Sequence, residues 1–240
     1  MASNLFNSLG GKAVEEAARR QALIQLKKGK TSEQKDCIDF FTTQKKGCNG
    51  CLGFGGNHIM SMDEYVQKVQ EKCRRLNLRS RAVTHLGIDE EDATALIDPL
   101  CLYGYELDLD DDSLLIKLED NKVVSSKYTI SWLFFSETQV YIYSYKFDMT
   151  SDDVWEYCRE YFYQDITCFE TEEDIVEKID IRIAQGCLGG ESVEKNNYTR
   201  EIVKITVPGS SCKITMRNAG TQMQNIQAVK ALLREKKFLK

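Results

Sequence analysis

Proline is nearly absent from this 240-residue chain: Pro99 and Pro208 are the only two. Histidine is equally scarce, with His58 and His85 alone. Neither histidine sits beside a recognisable nucleophile, so the triads of nucleophilic catalysis find no support. No apolar run approaches the length of a membrane span. The opening stretch, MASNLFNSLGGKAVEEAARRQ, has no apolar segment behind a basic start. It therefore predicts no secretory signal and a cytoplasmic location. Positive charge is not in excess: 32 Lys and Arg against 37 Asp and Glu give a net charge of -5, with a pI near 5.3. Nucleic-acid phosphate selects basic surfaces, which argues against a primary role on DNA or RNA. Nine cysteines, an odd number, read as reduced thiols better than as a disulfide framework.

What is present is a core. Apolar residues make up 42% of the chain, with ten Phe and eleven Tyr, enough for one large or two small domains. Composition shifts near residue 100. Before it, helical patterns dominate. Leu9 to Lys28 reads as an amphipathic helix with Ala13, Ala17 and Ala18 beside Leu23 and Leu26. Thr31 or Ser32 can cap a short helix through Phe41. Ser61 with Glu64 is a capping box, and the helix after it spaces Tyr65, Val66, Val69, Cys73 and Leu76 on one side. Asp89 to Asp92 places acids where a positive helix start favours them.

After residue 100 strands take over. They are expected at Leu102–Leu107, Leu114–Glu119, Val123–Ser136, Gln139–Asp148, Tyr161–Phe169, Arg200–Val207 and Cys212–Arg217. The central pair, VVSSKYTISWLFFSETQVYIYSYKF, is a long antiparallel hairpin around Ser136–Gln139. Strand alternation puts Tyr141, Tyr143, Tyr145 and Phe147 on one face, and Val140 and Ile142 on the other. Thr150 can cap a helical turn over Ser151–Tyr157. Thr221 with Gln224 opens a final helix with a stripe of Met223, Ile226, Val229 and Leu233 and basic Lys236, Lys237 and Lys240 at its end. Trp132, Phe134, Tyr161 or Tyr163 and Leu233 are expected to be buried together, joining sheet to final helix. The predicted class is α+β. A helical arm with a Cys/Gly-rich loop spans 1–57, a helical linker region spans 58–99, and a β domain with a C-terminal helix spans 100–240. About seven antiparallel strands followed by one amphipathic helix is the element order of a pleckstrin-homology-like barrel, whose helix plugs an open end.

Four segments carry a resemblance: SSKYTISWLFFSETQVYIYSYKFD, EYFYQDITCFET, IVKITVPGSSCKITM and IQAVKALLREKK. With MSMDEYVQKVQEKCRRLNLRSRAVTHLGIDEEDATALIDPLCLYGYELD upstream, the chain from residue 60 to 240 resembles an uncharacterised family of bacterial pleckstrin-homology-like proteins. The resemblance implies that fold, a bacterial cytosolic origin and no activity, substrate or catalytic residue to transfer. Residues 1–57 carry no such match.

The sharpest chemical motif is Cys48-Asn49-Gly50-Cys51 in a glycine-rich loop, with Cys37 before it and His58 after. Thiolates two residues apart can both ligate a tetrahedral Zn²⁺, so Cys48, Cys51, Cys37 and His58 form a candidate structural zinc site. The second ligand pair at regular spacing is missing, which favours free thiols. A redox pair would need a preceding strand and a following helix, and neither is indicated. Asp108, Asp110, Asp112 and Glu119 fall at positions of a calcium loop, but Ser113 replaces its glycine and the flanks read as strands. An acidic connection between strands explains them. Gly53-Phe54-Gly55-Gly56 lacks the strand and lysine of a phosphate loop. The tyrosine ladder on 141–145 is either a ligand platform or covered sheet core, with core favoured. Carboxylate pairs Asp152-Asp153 and Glu172-Glu173 sit where helix starts want acids.

These readings lead to a non-enzymatic protein-interaction or scaffold module that binds a protein partner or itself. The alternatives are a small metalloprotein with zinc at the Cys48/Cys51 loop, and a membrane-surface binder by analogy of fold. The acids of Asp108–Asp112 repel phosphate where a lipid headgroup site would need cations, and Arg74, Arg75, Arg79 and Arg81 belong to the helical part.

Overall fold

A computed structural model describes residues 21–45, 60–89, 91, 96–107, 113–117, 123–185, 191–217 and 219–238. Residues 21–27 are helical. Helix α1 (Ser32–Thr42) begins where the sequence asks. The Thr31 hydroxyl accepts from the Gln34 amide at 3.2 Å, and the Thr31 amide donates to Gln34 Oε1 at 2.9 Å. Helix α2 (Met62–Arg75) has the same device: the Ser61 amide donates to Glu64 Oε2 at 2.6 Å. The chain then turns at Asn77, whose left-handed φ of 43° breaks the helix. Helix α3 (Leu78–Leu86) follows, ending at Gly87, where φ is 63°.

The strands form two four-stranded sheets and a small hairpin. The first sheet has the order β2 (Leu100–Tyr105), β5 (Lys127–Phe135), β6 (Gln139–Asp148), β7 (Val154–Phe162), all antiparallel. The second has the order β1 (Thr43–Lys45), β8 (Cys168–Gln185), β9 (Glu191–Val207), β10 (Ser210–Met216). There β1 runs parallel to the end of β8, and the rest is antiparallel. Strands β3 (Leu115–Lys117) and β4 (Val123–Ser125) pair with each other. Helix α4 (Ala219–Phe238) closes the described chain. The architecture is α+β.

The two large sheets are not joined by a ladder, so no closed barrel forms among the described residues. They meet closely at Gly104 on β2. A Cβ there would stand 2.8 Å from Thr215 Cγ2 and 3.1 Å from the Met216 carbonyl carbon, which only glycine tolerates. An ion pair of Arg200 and Glu106 at 2.9 Å ties β9 to the chain after β2. Thr129 donates to the same carboxylate at 3.0 Å.

Both faces of the first sheet are covered. On one face Tyr105, Tyr128, Ile130, Phe134, Tyr143, Tyr145 and Phe147 join Cys37, Phe40, Tyr65, Val69 and Ala82 of α1–α3 in one core. On the other, Leu102, Leu133, Phe135 and Ile142 meet Ile205 and Ile214 of the second sheet and Ile226, Val229 and Leu233 of α4. Several expectations are corrected. Tyr161–Phe169 is not one strand, since β7 ends at Phe162 and β8 begins at Cys168, and Glu172-Glu173 is not at a helix start, since both lie in β8. Trp132 and Phe134 do pack inward, but against the N-terminal helices. Leu133 and Phe135 make the connection to α4, because neighbouring strand residues point to opposite faces. Of the other residues in that set, Tyr163 and Leu233 are buried and Tyr161 is half-buried. A further correction concerns Ser151–Tyr157. It is not a helical turn: the Ser151 hydroxyl bonds Asp153 at 2.6 Å in a tight bend. From Val154 the chain enters β7, where aromatic and β-branched residues pair with β6 over nine positions. On α4 the expected stripe is buried at Ile226, Val229 and Leu233, while Met223 at its start is exposed. Fully burying such a side chain stabilises by about 1.5–3 kcal/mol.

Candidate functional site

The helices sit on the first sheet by cations set over rings. Lys72 lies 4.6 Å from the Phe147 ring centre, Arg81 5.3 Å from Tyr145 and Arg79 5.8 Å from Trp132. A polar knot fixes α3. Arg81 Nε donates to Glu156 Oε2 at 3.0 Å, and a second guanidinium nitrogen donates to Oε1. The Tyr143 hydroxyl donates to Oε2 at 2.7 Å, and His85 Nε2 lies 3.6 Å from the same oxygen. Burial alone would raise the Glu156 pKa. The Arg81 and Tyr143 hydrogen bonds overcome this and hold it below the usual carboxylate range. Deeper in, Tyr65 is fully buried, stacks on Phe40 at 4.7 Å and donates to the Ser125 carbonyl at 2.7 Å. Burial pushes that phenol well above its ordinary value.

Beside this contact the helices part from the sheet and leave a groove of about 800 Å³. Val66, Val69, Cys73 and Leu78 form the helical wall. The floor is aromatic: Tyr103 and Tyr105 from β2, Tyr128 and Trp132 from β5. Tyr105 meets Tyr128 edge-on at 5.1 Å. Arg74, Arg79 and Arg217 stand around it, and no acidic residue lines it among the described residues. Arg217 sits 5.5 Å from the Tyr105 ring centre. The Tyr105 side chain is 7% exposed and its hydroxyl has no hydrogen-bond partner among the described residues. Leaving such a group unsatisfied costs about 1–3 kcal/mol. Burial raises the thiols of Cys73 to about 11 and Cys101 to about 12, so neither is a nucleophile near neutral pH.

A second feature is the outer side of β7. This strand ends its sheet, and its far side has no ladder partner among the described residues. Val154, Trp155 and Phe162 are 48%, 39% and 51% exposed. Lys127 and Lys146 flank the Trp155 ring at 5.0 and 4.6 Å.

The sequence candidates fall as follows. Cys48, Cys51 and His58 lie outside the described residues, as do Asp108, Asp110, Asp112, Glu119 and residues 53–56. Cys37 is fully buried on α1, and burial pushes its thiol to about 12. Among the described residues no group of three or more His, Cys, Asp or Glu gathers to hold a metal. In the tyrosine ladder Tyr143, Tyr145 and Phe147 are buried beneath the helices, and Tyr141 is half-buried. The groove was not anticipated. Its arginines were visible as a basic cluster, but Tyr103, Tyr105, Tyr128 and Arg217 come from three strand regions that only pairing brings together. Comparison of the chain with protein-family models, with curated proteins and with solved structures gave no match.

Proposed function

We propose that this protein is a non-enzymatic interaction module of the bacterial cytosol with a pleckstrin-homology-like body. Its partner strand is β7 of a second copy. The open edge of β7 carries this reading. An unpaired edge offers a row of amide and carbonyl groups for strand addition. Natural edges are blunted by charged side chains, proline or bulges; β7 carries Glu156, Arg159 and Glu160 but no proline or lysine, and it exposes Val154, Trp155 and Phe162 between them. The strand also complements itself. Antiparallel pairing about Cys158 sets Val154 opposite Phe162, Trp155 opposite Tyr161 and Tyr157 opposite Arg159. Each such cross-strand pair contributes about 0.2–1 kcal/mol. Glu156 and Glu160 oppose each other in this register, but Arg81 already neutralises Glu156. The modest sum suits a dimer that forms and dissociates readily.

The element order supports the pleckstrin-homology-like reading. Apart from the short β1 and the β3–β4 hairpin inserted after β2, four antiparallel strands (β2, β5, β6, β7) and then three (β8, β9, β10) precede a helix whose apolar stripe is buried against both sheets. The bacterial and cytosolic parts rest on the resemblance alone. Sedimentation of the full chain over a rising concentration series tests the proposal. A monomer–dimer equilibrium that Val154→Lys/Phe162→Lys abolishes without lowering the melting temperature supports it. A monomer throughout, or a dimer indifferent to the two lysines, overturns it.

A further inference from the structure

We infer that the groove between α2–α3 and strands β2 and β5 binds a small organic anion with a flat aromatic body. This site is separate from the β7 edge and does not depend on the dimer. Its size falls in the range of about 300–1,000 Å³ that holds small ligands. Three observations fix the ligand class. The floor presents Tyr103, Tyr105, Tyr128 and Trp132, and aromatic side chains stack best on other flat rings. Tyr103 is 40% exposed and Trp132 half-buried, so these two rings are the open part of the floor, while Tyr105 and Tyr128 are buried behind them.

The second observation is charge. Arg74, Arg79 and Arg217 surround the groove and no carboxylate lines it among the described residues, in a chain whose net charge is -5. Arg74 and Arg217 form no ion pair with any described residue. Arg79 and Arg217 sit over the rings of Trp132 and Tyr105 at 5.8 and 5.5 Å, which holds cations at the margin of an aromatic surface. Guanidinium groups in this setting recognise carboxylate, sulfonate or phosphate. The third observation is the Tyr105 hydroxyl, which has no hydrogen-bond partner among the described residues and belongs to a ring that lines the groove beside Arg217.

The probe is 8-anilino-1-naphthalenesulfonate, with N-phenyl-1-naphthylamine as its uncharged counterpart. The chain has two tryptophans, so Trp155→Phe leaves Trp132 as the only reporter. The expected result is saturable quenching of Trp132 emission by the sulfonate at one molecule per chain. Arg74→Gln/Arg217→Gln weakens it by about tenfold or more, the loss of a charged hydrogen bond. The neutral amine binds about tenfold more weakly and is indifferent to the double variant. If the double variant loses its native circular dichroism, Arg74→Gln alone, at an exposed position, must still weaken the sulfonate and spare the amine. Non-saturable quenching, equal binding of both probes, or sulfonate binding unchanged by the arginine variants overturns the proposal.

Discussion

Arg81 on α3 reaches Glu156 on β7 through two guanidinium nitrogens, with Nε 3.0 Å from one carboxylate oxygen. The contact fastens the last N-terminal helix to the edge strand of the first sheet. Tyr143, from the strand between, donates to the same carboxylate at 2.7 Å. One acid thus holds three elements in register.

Glu156→Gln removes the charge and keeps the shape. It should destabilise by about 1 kcal/mol, less than the roughly 1.5–3 kcal/mol of a hydrogen bond to a charged group out of solvent, because Arg81 is 41% exposed. The pH dependence has a definite sign. The folded pKa lies below the unfolded value, so this stabilisation is complete above the unfolded carboxylate pKa of about 4.3 and is lost as pH falls through the folded one. Thermal melts from neutral pH into acid should show the wild type converging on Glu156→Gln. A constant gap between the two down to the acid limit would contradict this.

Gly104→Ala tests the close approach of the sheets. The new methyl would meet Thr215 Cγ2 at 2.8 Å and backbone behind it at 3.1 Å. Overpacking of this kind costs about 1–3 kcal/mol. Thr215→Ser in the same chain removes the side-chain clash and should recover part of the loss. Denaturant midpoints measure both, and full recovery would mean that the backbone is not in the way.

The α4 stripe should be the firmest part of the second core. Ile226→Ala, at a fully buried position, should cost about 2–5 kcal/mol, whereas Met223→Ala, at a 37% exposed position, should cost under about 1.5 kcal/mol. Removing the chain from Thr221 onward should leave an aggregating product, because Leu102, Leu133 and Ile142 lose their cover. A soluble truncated chain that melts like the full one would end the plug account.

Thiol reactivity should split by burial. Cys158 and Cys168 are exposed, while Cys37 and Cys212 are buried and burial raises both thiols. Maleimide labelling of the native protein, mapped by peptide mass, should mark Cys158 and Cys168 long before Cys37. Raised thiol pKa values also set a high-pH weakness. Cys37 contributes stability below its unfolded pKa of about 8.5, and this declines as pH rises toward its folded value of about 12. Early labelling of Cys37 would show that α1 opens readily.

Local signals were legible in the sequence, and tertiary ones were not. The capping boxes at Thr31 and Ser61 each lie within four residues, so both helix starts could be read directly. Strand β6 could be read to the residue because its aromatic and β-branched residues run from the polar break at Ser136–Gln139 to Asp148. The start of β7 was hidden by Ser151, Asp152 and Asp153, which resemble a helix cap but make a bend, with the Asp153 amide donating to the Ser151 hydroxyl. Helix α3 was hidden by the left-handed Asn77, which no periodicity announces. The facing of β5 could not be settled either. Both sides of its second half, Trp132–Phe135, are apolar, so nothing in that pattern says which layer each side meets.

Cross-linking at Cys158 tests the self-pairing of β7 most directly, since this residue lies at the centre of the proposed two-fold pairing. A short bis-maleimide should join two chains through Cys158 of each, and mass mapping should identify that homotypic link above all others. Val154→Lys/Phe162→Lys should remove the link while leaving Cys158 as reactive as before toward a single maleimide. Chains that label at Cys158 but never join there, or that join equally well with both lysines in place, would contradict the account.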